Sequence, residues 1–460
     1  MTRTTRFTRS KVVAAALALT LMGSLAACGS DDGGTGNGSG SGDGEATAAG
    51  PAMSDDEMNA ILEKGGNLTW WTWVGWSETQ AKAFTAKYPN VKIDVVNAGT
   101  GGEEYTQIEN ALQAGSGAPD IAQIEYYAIP QFALSDGLLD LNKYGFGELK
   151  SKFTDSTWAQ VALNDGVYGL PQDSGPIIMM YNEELFKEHG VDVPTTWDEY
   201  VAAATKFKQD DPKIYMTNEV GGPVSLPLVW AFGGNPFQIN GTEITVNTQD
   251  QGSVDWANTW NKLIQADSVS DIATWSPDYW TALGNGNIAT VLSGAWMPGI
   301  FENSLPDAAG KWRVAPLPTM DGTPITGENG GSSMAITSQT KNPELSAAFL
   351  KWLTTDQESV DLFLESGGFP ATTADLGNAE FADKVWDYYG GQQVNQVSIE
   401  ASKAVSPNWA FLPFQIYAYT VFGDTVGQSF VNKTDLNAGL KDWQDKLVTF
   451  GNQQGFSVNK

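Results

Sequence analysis

The chain has one cysteine and one histidine in 460 residues. A single cysteine excludes an internal disulfide and any thiolate-cluster metal site. A single histidine excludes a multi-histidine metal site and leaves little for a mechanism built on a histidine base. Positive charge is also scarce: 26 Lys and Arg face 54 Asp and Glu, a net charge of −28. A surface that acidic repels phosphate backbones, so no nucleic-acid partner is expected. No apolar run reaches 18 residues, so no segment reads as a mature membrane span. The Gly99-Thr100-Gly101-Gly102 run departs from G-x-G-x-x-G spacing and carries no Lys-Ser/Thr, and Gly-x-Ser-x-Gly is absent. Neither a nucleotide site nor a nucleophile elbow is therefore expected, and no cofactor or metal is implied. What is plentiful is tryptophan, 17 residues, in a chain 41% hydrophobic and 17% charged. That balance fits a soluble globular protein rather than a disordered one.

The first residues carry an address. Arg3, Arg6, Arg9 and Lys11 precede an apolar stretch at 12–22 broken only by Thr20. This is a signal-peptide pattern. It ends in Leu25-Ala26-Ala27-Cys28, which resembles a bacterial lipobox, the alternative being an ordinary signal peptide with a chance cysteine. The resemblance implies removal of 1–27, a diacylated Cys28 and a protein held outside the cell membrane. Cleavage there would remove those four basic residues and no acidic one, leaving 22 against 54, a net −32. So acidic a chain stands off an anionic leaflet unless a lipid ties it down. Residues 28–50 are rich in Gly and Ser and read as a tether with a reach of about 25 Å.

Beyond the tether, strand and helix signals alternate. Ser54-Asp55-Asp56-Glu57 reads as a capping box. Residues 67–74 (NLTWWTWV) predict a strand, 77–88 a helix stopped by Pro89, 91–95 a half-buried strand, 105–114 a helix and 120–125 (DIAQIE) a strand. Strands alternating with helices in this way predict a parallel sheet covered on both faces. Thr196-Trp197-Asp198-Glu199, Asn342-Pro343-Glu344 and Thr355-Asp356-Gln357-Glu358 open later helices. His189, before Gly190, reads as a structural residue at a helix C-terminus. Glu103-Glu104 and Glu183-Glu184 read as solvated helix starts. The length left after the tether suits two lobes better than one core.

Several motifs occur together, in order: Gly117-Ala118-Pro119-Asp120-Ile121, Tyr168-Gly169-Leu170-Pro171, Met179-Met180-Tyr181-Asn182, Val193-Pro194-Thr195-Thr196-Trp197-Asp198-Glu199, Ser293-Gly294-Ala295-Trp296, the segment 330–336, and Ser366-Gly367-Gly368-Phe369-Pro370. This set resembles extracellular solute-binding proteins of the sugar-binding type, which serve ATP-driven (ABC) importers. The resemblance implies a two-lobed α/β fold like that of type II periplasmic binding proteins. Each lobe would be a mostly parallel sheet flanked by helices, with the ligand in the cleft between them. Three crossings are expected near 172–176, 325–331 and 367–372. One lobe would comprise 51–172 plus 331–368 and the other 176–326 plus 373–460. Hinge closure around the ligand would be the working motion.

A neutral sugar has C–H faces that pack on aromatic rings and hydroxyls that need acceptors and donors around its edge. In open α/β sheets ligands lie past the carboxyl ends of strands. Trp73, Trp76, Glu125 and Tyr126 stand at such ends. Asp173 falls at the first expected crossing, and Glu328, Asn329 and Gly330 at the second. Trp230 and Trp296 are aromatics beside glycine-containing turns, and the resemblance singles out the position of Trp296. The other role open to Trp73, Trp76, Trp230 and Trp296 is core packing, and to Glu125 and Asp173 a cap or turn. Trp260 and Trp443 lie in helical patterns and read as packing. The expected function is capture of a sugar or oligosaccharide by a monomeric, non-catalytic, lipid-anchored receptor that delivers it to permease subunits. The rivals are a cationic solute such as a polyamine in the same fold, and an extracellular glycosidase using two carboxylates.

Overall fold

The computed structural model describes residues 53–218, 225–406 and 409–460. The expected signal peptide, Cys28 and the tether lie outside the described residues. In chain order the strands are β1 (Gly66–Trp71), β2 (Val91–Val96), β3 (Ile121–Glu125), β4 (Ala162–Leu163), β5 (Gly166–Val167), β6 (Leu170–Pro171), β7 (Ile177–Asn182), β8 (Thr217–Asn218), β9 (Phe237–Asn240), β10 (Glu243–Val246), β11 (Val269–Ser270), β12 (Thr290–Gly294), β13 (Trp312–Pro316), β14 (Ser332–Ile336) and β15 (Ser457–Asn459).

Capping chemistry sets the helix starts. Ser54 with Glu57, and Thr196 with Glu199, form reciprocal capping boxes on the helices Asp55–Lys64 and Trp197–Asp210. Pro343 opens the helix Pro343–Thr355, where its missing N–H costs nothing. The next helix, Gln357–Glu365, is capped by Asp356, while Thr355 ends the helix before it. His189 is the C-cap of Glu183–Glu188, with Nδ1 3.1 Å from Asp210 Oδ2, which suits a structural role.

The first sheet has the order β2–β1–β3–β14–β6. β1 pairs in parallel with β2 and β3, through the helices Ser77–Lys87 and Gly102–Ala114. β14 runs antiparallel to both β3 and β6. In the second sheet β7 lies antiparallel between β12 and β13. β11 pairs in parallel with β8, and β8 reaches β12 through a parallel bridge between Tyr215 and Ile288. Thr290 N–H donates to Met216 O across that junction at 2.8 Å. The second order is therefore β11–β8–β12–β7–β13, the same pattern as the first. Both sheets are mostly parallel in strand direction, but each holds one reversed strand, β14 or β7, that the sequence did not signal.

The reversal has a topological cause. β6 ends at the carboxyl edge of the first sheet, and the chain passes straight into β7 at the carboxyl edge of the second, where Ile177 pairs with Gly294. β13 likewise ends at that edge, and the returning chain enters β14 where Ser332 pairs with Glu125. A strand entering from the carboxyl edge must run backwards. The two carboxyl edges are thereby joined by the passages 172–176 and 325–331. Those passages pair with each other: Ile177 N–H donates to Gly327 O (2.9 Å), and Asn329 N–H to Gly175 O (2.8 Å). Ser174 N–H donates to Phe369 O (3.1 Å), and Asp173 bridges to Pro370. At Gly175 any Cβ would collide with Asn329 O, so this approach requires glycine.

Each sheet separates two cores, as its alternation demands. Along β7, Ile177 and Met179 face a core with Trp197, Phe207, Trp256 and Trp443, while Ile178 and Met180 face one with Tyr279, Phe301, Trp312 and Tyr389. Along β14, Met334 and Ile336 face one side and Ala335 the other. Much of the tryptophan excess is spent here: Trp70, Trp197, Trp256, Trp260, Trp312 and Trp443 are fully buried. Among the described residues no helix is long and apolar enough to cross a membrane.

Candidate functional site

The first strand was expected to run to residue 74, but it ends at Trp71. Gln123 on β3 explains the turn that follows. Its Oε1 accepts from Thr72 Oγ1 (2.7 Å) and Trp73 N–H (3.3 Å), and its Nε2 donates to Ser332 Oγ (3.0 Å). Trp73 is thus fixed at the carboxyl edge, half-buried and edge-on to Tyr105 at 6.3 Å. Tyr105 OH donates to Glu125 Oε2 (3.1 Å) and accepts from Glu125 N–H (2.8 Å). Burial raises the Glu125 carboxyl above its ordinary value, and bonds from Tyr127 and Tyr105 only partly oppose this. Tyr127 in turn packs edge-on against Tyr419 at 4.8 Å and, more distantly, Phe411.

Beside Glu125 the paired passages place two more carboxyls. Asp173 Oδ1 accepts from Ser332 N–H at 2.5 Å. Burial, with Glu125 nearby, pushes its pKa up to about 7 despite that bond. Glu328 Oε1 accepts from Ser174 Oγ (3.0 Å) and Ser156 Oγ (3.2 Å), while its buried Oε2 has no partner. Its pKa is also pushed up to about 7, by burial first and by Asp173 as well. Among the described residues no lysine or arginine acts on any of the three.

The facing edge belongs to the second sheet. β12 ends at Gly294, and Trp296 stands immediately before the helix Met297–Ser304. Its Nε1–H donates to Asn329 O at 2.8 Å, so the indole is tied to the second passage. A Cβ on Gly294 would strike both Trp296 and Asn329 O, and the edge of the ring also lies against Gly330. Asn329 Nδ2 lies 3.5 Å from Ser293 Oγ.

The candidates therefore divide. Trp73, Glu125, Asp173, Trp296, Asn329 and Gly330 lie along the joined edges. Tyr126 and Glu328 are there but buried: Tyr126 OH donates to Asp173 O (2.7 Å), and both residues brace the passages. Trp76 packs on Phe363 at 5.3 Å with its Nε1 buried and unpartnered. Trp230 must be corrected. It is 2% exposed, stacked on Trp409 at 5.0 Å and 7°, and its Nε1–H donates to Ser406 O. The glycines after it signalled a turn, but the indole itself lies on the helix Ser225–Ala231, every residue of which is buried. Glu104 is a second correction. Expected in solvent, it is fully buried with both oxygens unpartnered, and burial pushes its pKa up to about 8. Its one-turn neighbour Ile108 faces the core and carries it inward.

Sequence reasoning missed Tyr105, Tyr127, Tyr419 and Trp275. The two tyrosines that hold Glu125 come from a helix and a turn, and nothing in their spacing links them. Trp275, 51% exposed, stacks beside Trp296 at 6.0 Å and 22°. Its one signal was the loop position before Ser276-Pro277, a helix cap followed by proline. Among the described residues no group of His, Cys, Asp and Glu side chains is placed to hold a metal. A surface depression of about 620 Å³ lies between helices around Asp198, Lys262 and Asp435 and contains none of the candidates.

Residues 74–359 match the family of bacterial extracellular solute-binding proteins. The arabinooligosaccharide-binding protein of Halalkalibacterium halodurans is 26% identical over 375 residues, covering 76% of this chain and 82% of that protein. The arabinooligosaccharide-binding protein of Bacillus subtilis is 25% identical, covering 82% and 88%. Among solved structures, the transporter-associated binding protein of B. animalis subsp. lactis Bl-04 in complex with beta-1,6-galactobiose superimposes with a TM-score of 0.80. It is 36% identical, over 86% of this chain and 99% of that one. The galacto-N-biose/lacto-N-biose I-binding protein of Bifidobacterium longum shares the fold, with a TM-score of 0.74 at 22% identity.

Proposed function

Because the chain belongs to the bacterial extracellular solute-binding protein family, we propose that it captures an oligosaccharide in the cleft between its lobes and hands it to the permease subunits of an ABC importer. The observation that supports this most is the meeting of two carboxyl edges at one set of paired passages, with indoles and hydroxyl-accepting carboxyls converging there and, among the described residues, no cation beside the carboxyls. Trp296 and Trp73 supply ring faces. Glu125 and Asp173 take hydroxyl hydrogen bonds, while Asn329 and Gly330 line the turn between them. Tyr126 and Glu328 hold the hinge. The lobes are 51–172 plus 331–368 and 176–326 plus 373–460, closing about 172–176, 325–331 and 367–372.

The relatives' sugars supply the first probes: beta-1,6-galactobiose, arabino-oligosaccharides and lacto-N-biose. A binding sugar at 100 times its Kd is expected to stabilise the folded protein by about 2.7 kcal/mol, seen as a rise in melting temperature. Sugars across this panel that leave the melting temperature unmoved would remove the assignment. The protein is a receptor rather than a glycosidase, so a labelled oligosaccharide should be recovered intact after prolonged incubation. A polycation is disfavoured, since burial raises the carboxyls of Asp173 and Glu328 above their ordinary values and so weakens the negative charge that would attract it. Affinity for the sugar should accordingly change little with salt.

The receptor works as a monomer tied to the outer face of the membrane by lipid on Cys28. Replacement Cys28→Ala should abolish incorporation of a labelled fatty acid while the secreted protein keeps its sugar affinity. Label retained in that variant would place the anchor elsewhere.

A further inference from the structure

We propose, building on the saccharide assignment above, that Trp275 forms a second sugar subsite beside Trp296 and selects ligands of two or more rings. Three observations converge on this residue. First, it is a bulky side chain left 51% exposed in a protein that buries most of its indoles. Second, its backbone is left-handed, at φ 71°. Bulky residues avoid that region, and such strain concentrates at ligand clamps. Third, the strained residue is firmly held. Thr274 Oγ1 accepts from Asn218 Nδ2 at 2.6 Å, and Ser276 caps the helix Pro277–Gly284 by accepting from Tyr279 N–H at 3.1 Å. An accidental surface tryptophan has no need of this scaffold.

The location matches a ligand site. Trp275 follows β11, so it stands at the same carboxyl edge as Trp296 after β12. Behind it Trp280 packs at 5.9 Å and anchors on Phe301 in the core. The Trp275 and Trp296 planes lie within 22° of parallel with centroids 6.0 Å apart. At a van der Waals spacing of roughly 3.5 Å between planes, that separation implies a lateral step of about 5 Å. The indoles therefore overlap only in part, like successive stairs, and each keeps ring face uncovered. One sugar ring on Trp296 leaves Trp275 in water. A second ring linked to the first covers it. The relatives' ligands suit such a step because they are built of linked rings.

The test uses Trp275→Gly, since glycine accepts φ 71° and the variant removes the indole while relieving strain. Its unliganded melting temperature should match or exceed that of the parent. Calorimetric titration then compares galactose, beta-1,6-galactobiose and beta-1,6-galactotriose, and the arabinose series of the same lengths. In the series that binds, the parent should gain at least tenfold in affinity from one unit to two. Trp275→Gly should lose that gain while binding one unit within twofold of the parent, and Trp275→Phe should restore most of it. Two-unit affinity unchanged in Trp275→Gly, alongside lost binding in Trp296→Ala, overturns the second subsite and leaves the sugar assignment standing. Unchanged affinity in Trp296→Ala overturns the paired subsites and leaves the sugar assignment standing, whereas no binding by either series or by lacto-N-biose overturns both.

Discussion

Trp296→Ala is expected to weaken saccharide binding by about 2–4 kcal/mol, roughly 30- to 1,000-fold, while leaving the protein folded. The indole is half-buried and anchored at one atom, Nε1, to Asn329 O. Removing it deletes a half-buried ring face and its one hydrogen bond to the second passage. Trp296→Phe separates the two contributions, because it keeps a face and loses the N–H. Phenylalanine should recover most of the affinity if stacking dominates. Trp230→Ala makes the contrasting control. That indole lies between Trp409 and the backbone of the second passage, so truncation opens a cavity and should cost about 3–5 kcal/mol of stability. A Trp296→Ala protein that titrates with parental affinity, or that unfolds as Trp230→Ala is expected to, would place Trp296 in the core.

The melting temperature should fall as pH rises from 5 to 8. Glu328, Asp173 and Glu104 all have folded-state pKa values raised by burial, to about 7, about 7 and about 8. An acid with a raised folded pKa holds its proton more tightly folded than unfolded. Its stabilising contribution is complete below the ordinary carboxyl value and is lost as pH climbs through the folded value. For Glu328 alone the difference between 4.5 and about 7 corresponds to about 3 kcal/mol. The acids shifted the other way, such as Glu199 and Asp210, are exposed and lose their contribution only below their ordinary values, outside this window. Glu328→Gln keeps an acceptor for Ser174 and Ser156 and removes the titrating proton, so its pH profile should be flatter. A parental melting temperature that is constant or rises between pH 5 and 8 contradicts the burial of these acids.

Local chemistry in the sequence carried the helix caps at Ser54 and Thr196 and the strands at β2 and β3. It carried them because the caps rest on neighbours three residues apart and the strands on neighbours one or two apart. The reversed strands were hidden for the opposite reason. β7 and β14 are buried on both faces whichever way they run, and direction follows from where a distant passage enters the sheet. The site divided along the same line. Trp73, Glu125 and Trp296 lie at carboxyl edges, as expected, because the order of strand and helix signals is legible. Trp230 was misplaced because a glycine turn beside an aromatic looks alike whether the ring points into a cleft or a core. Glu104 was missed because a helix start rich in acids gives no sign of how deeply its third residue is buried. Tyr419 sits in a helix, Gln415–Gly423, whose apolar residues show no preferred side.

The reversed strand of the first sheet has a consequence for biosynthesis. β14 sits inside that sheet, between β3 and β6, yet it is made after the whole of β7 to β13. A chain emerging in order from a ribosome or a translocation pore can pair β1, β2 and β3 early. It cannot close the gap beside β3 until residues 332–336 arrive. The helix that covers this sheet, Pro343–Thr355, arrives later still, and its buried Phe349 and Leu350 belong to the same core as Trp70 and Phe84. The half begun first is therefore finished after the central strands of the other half have been made. The first sheet is locked only when the late strand slots in between β3 and β6.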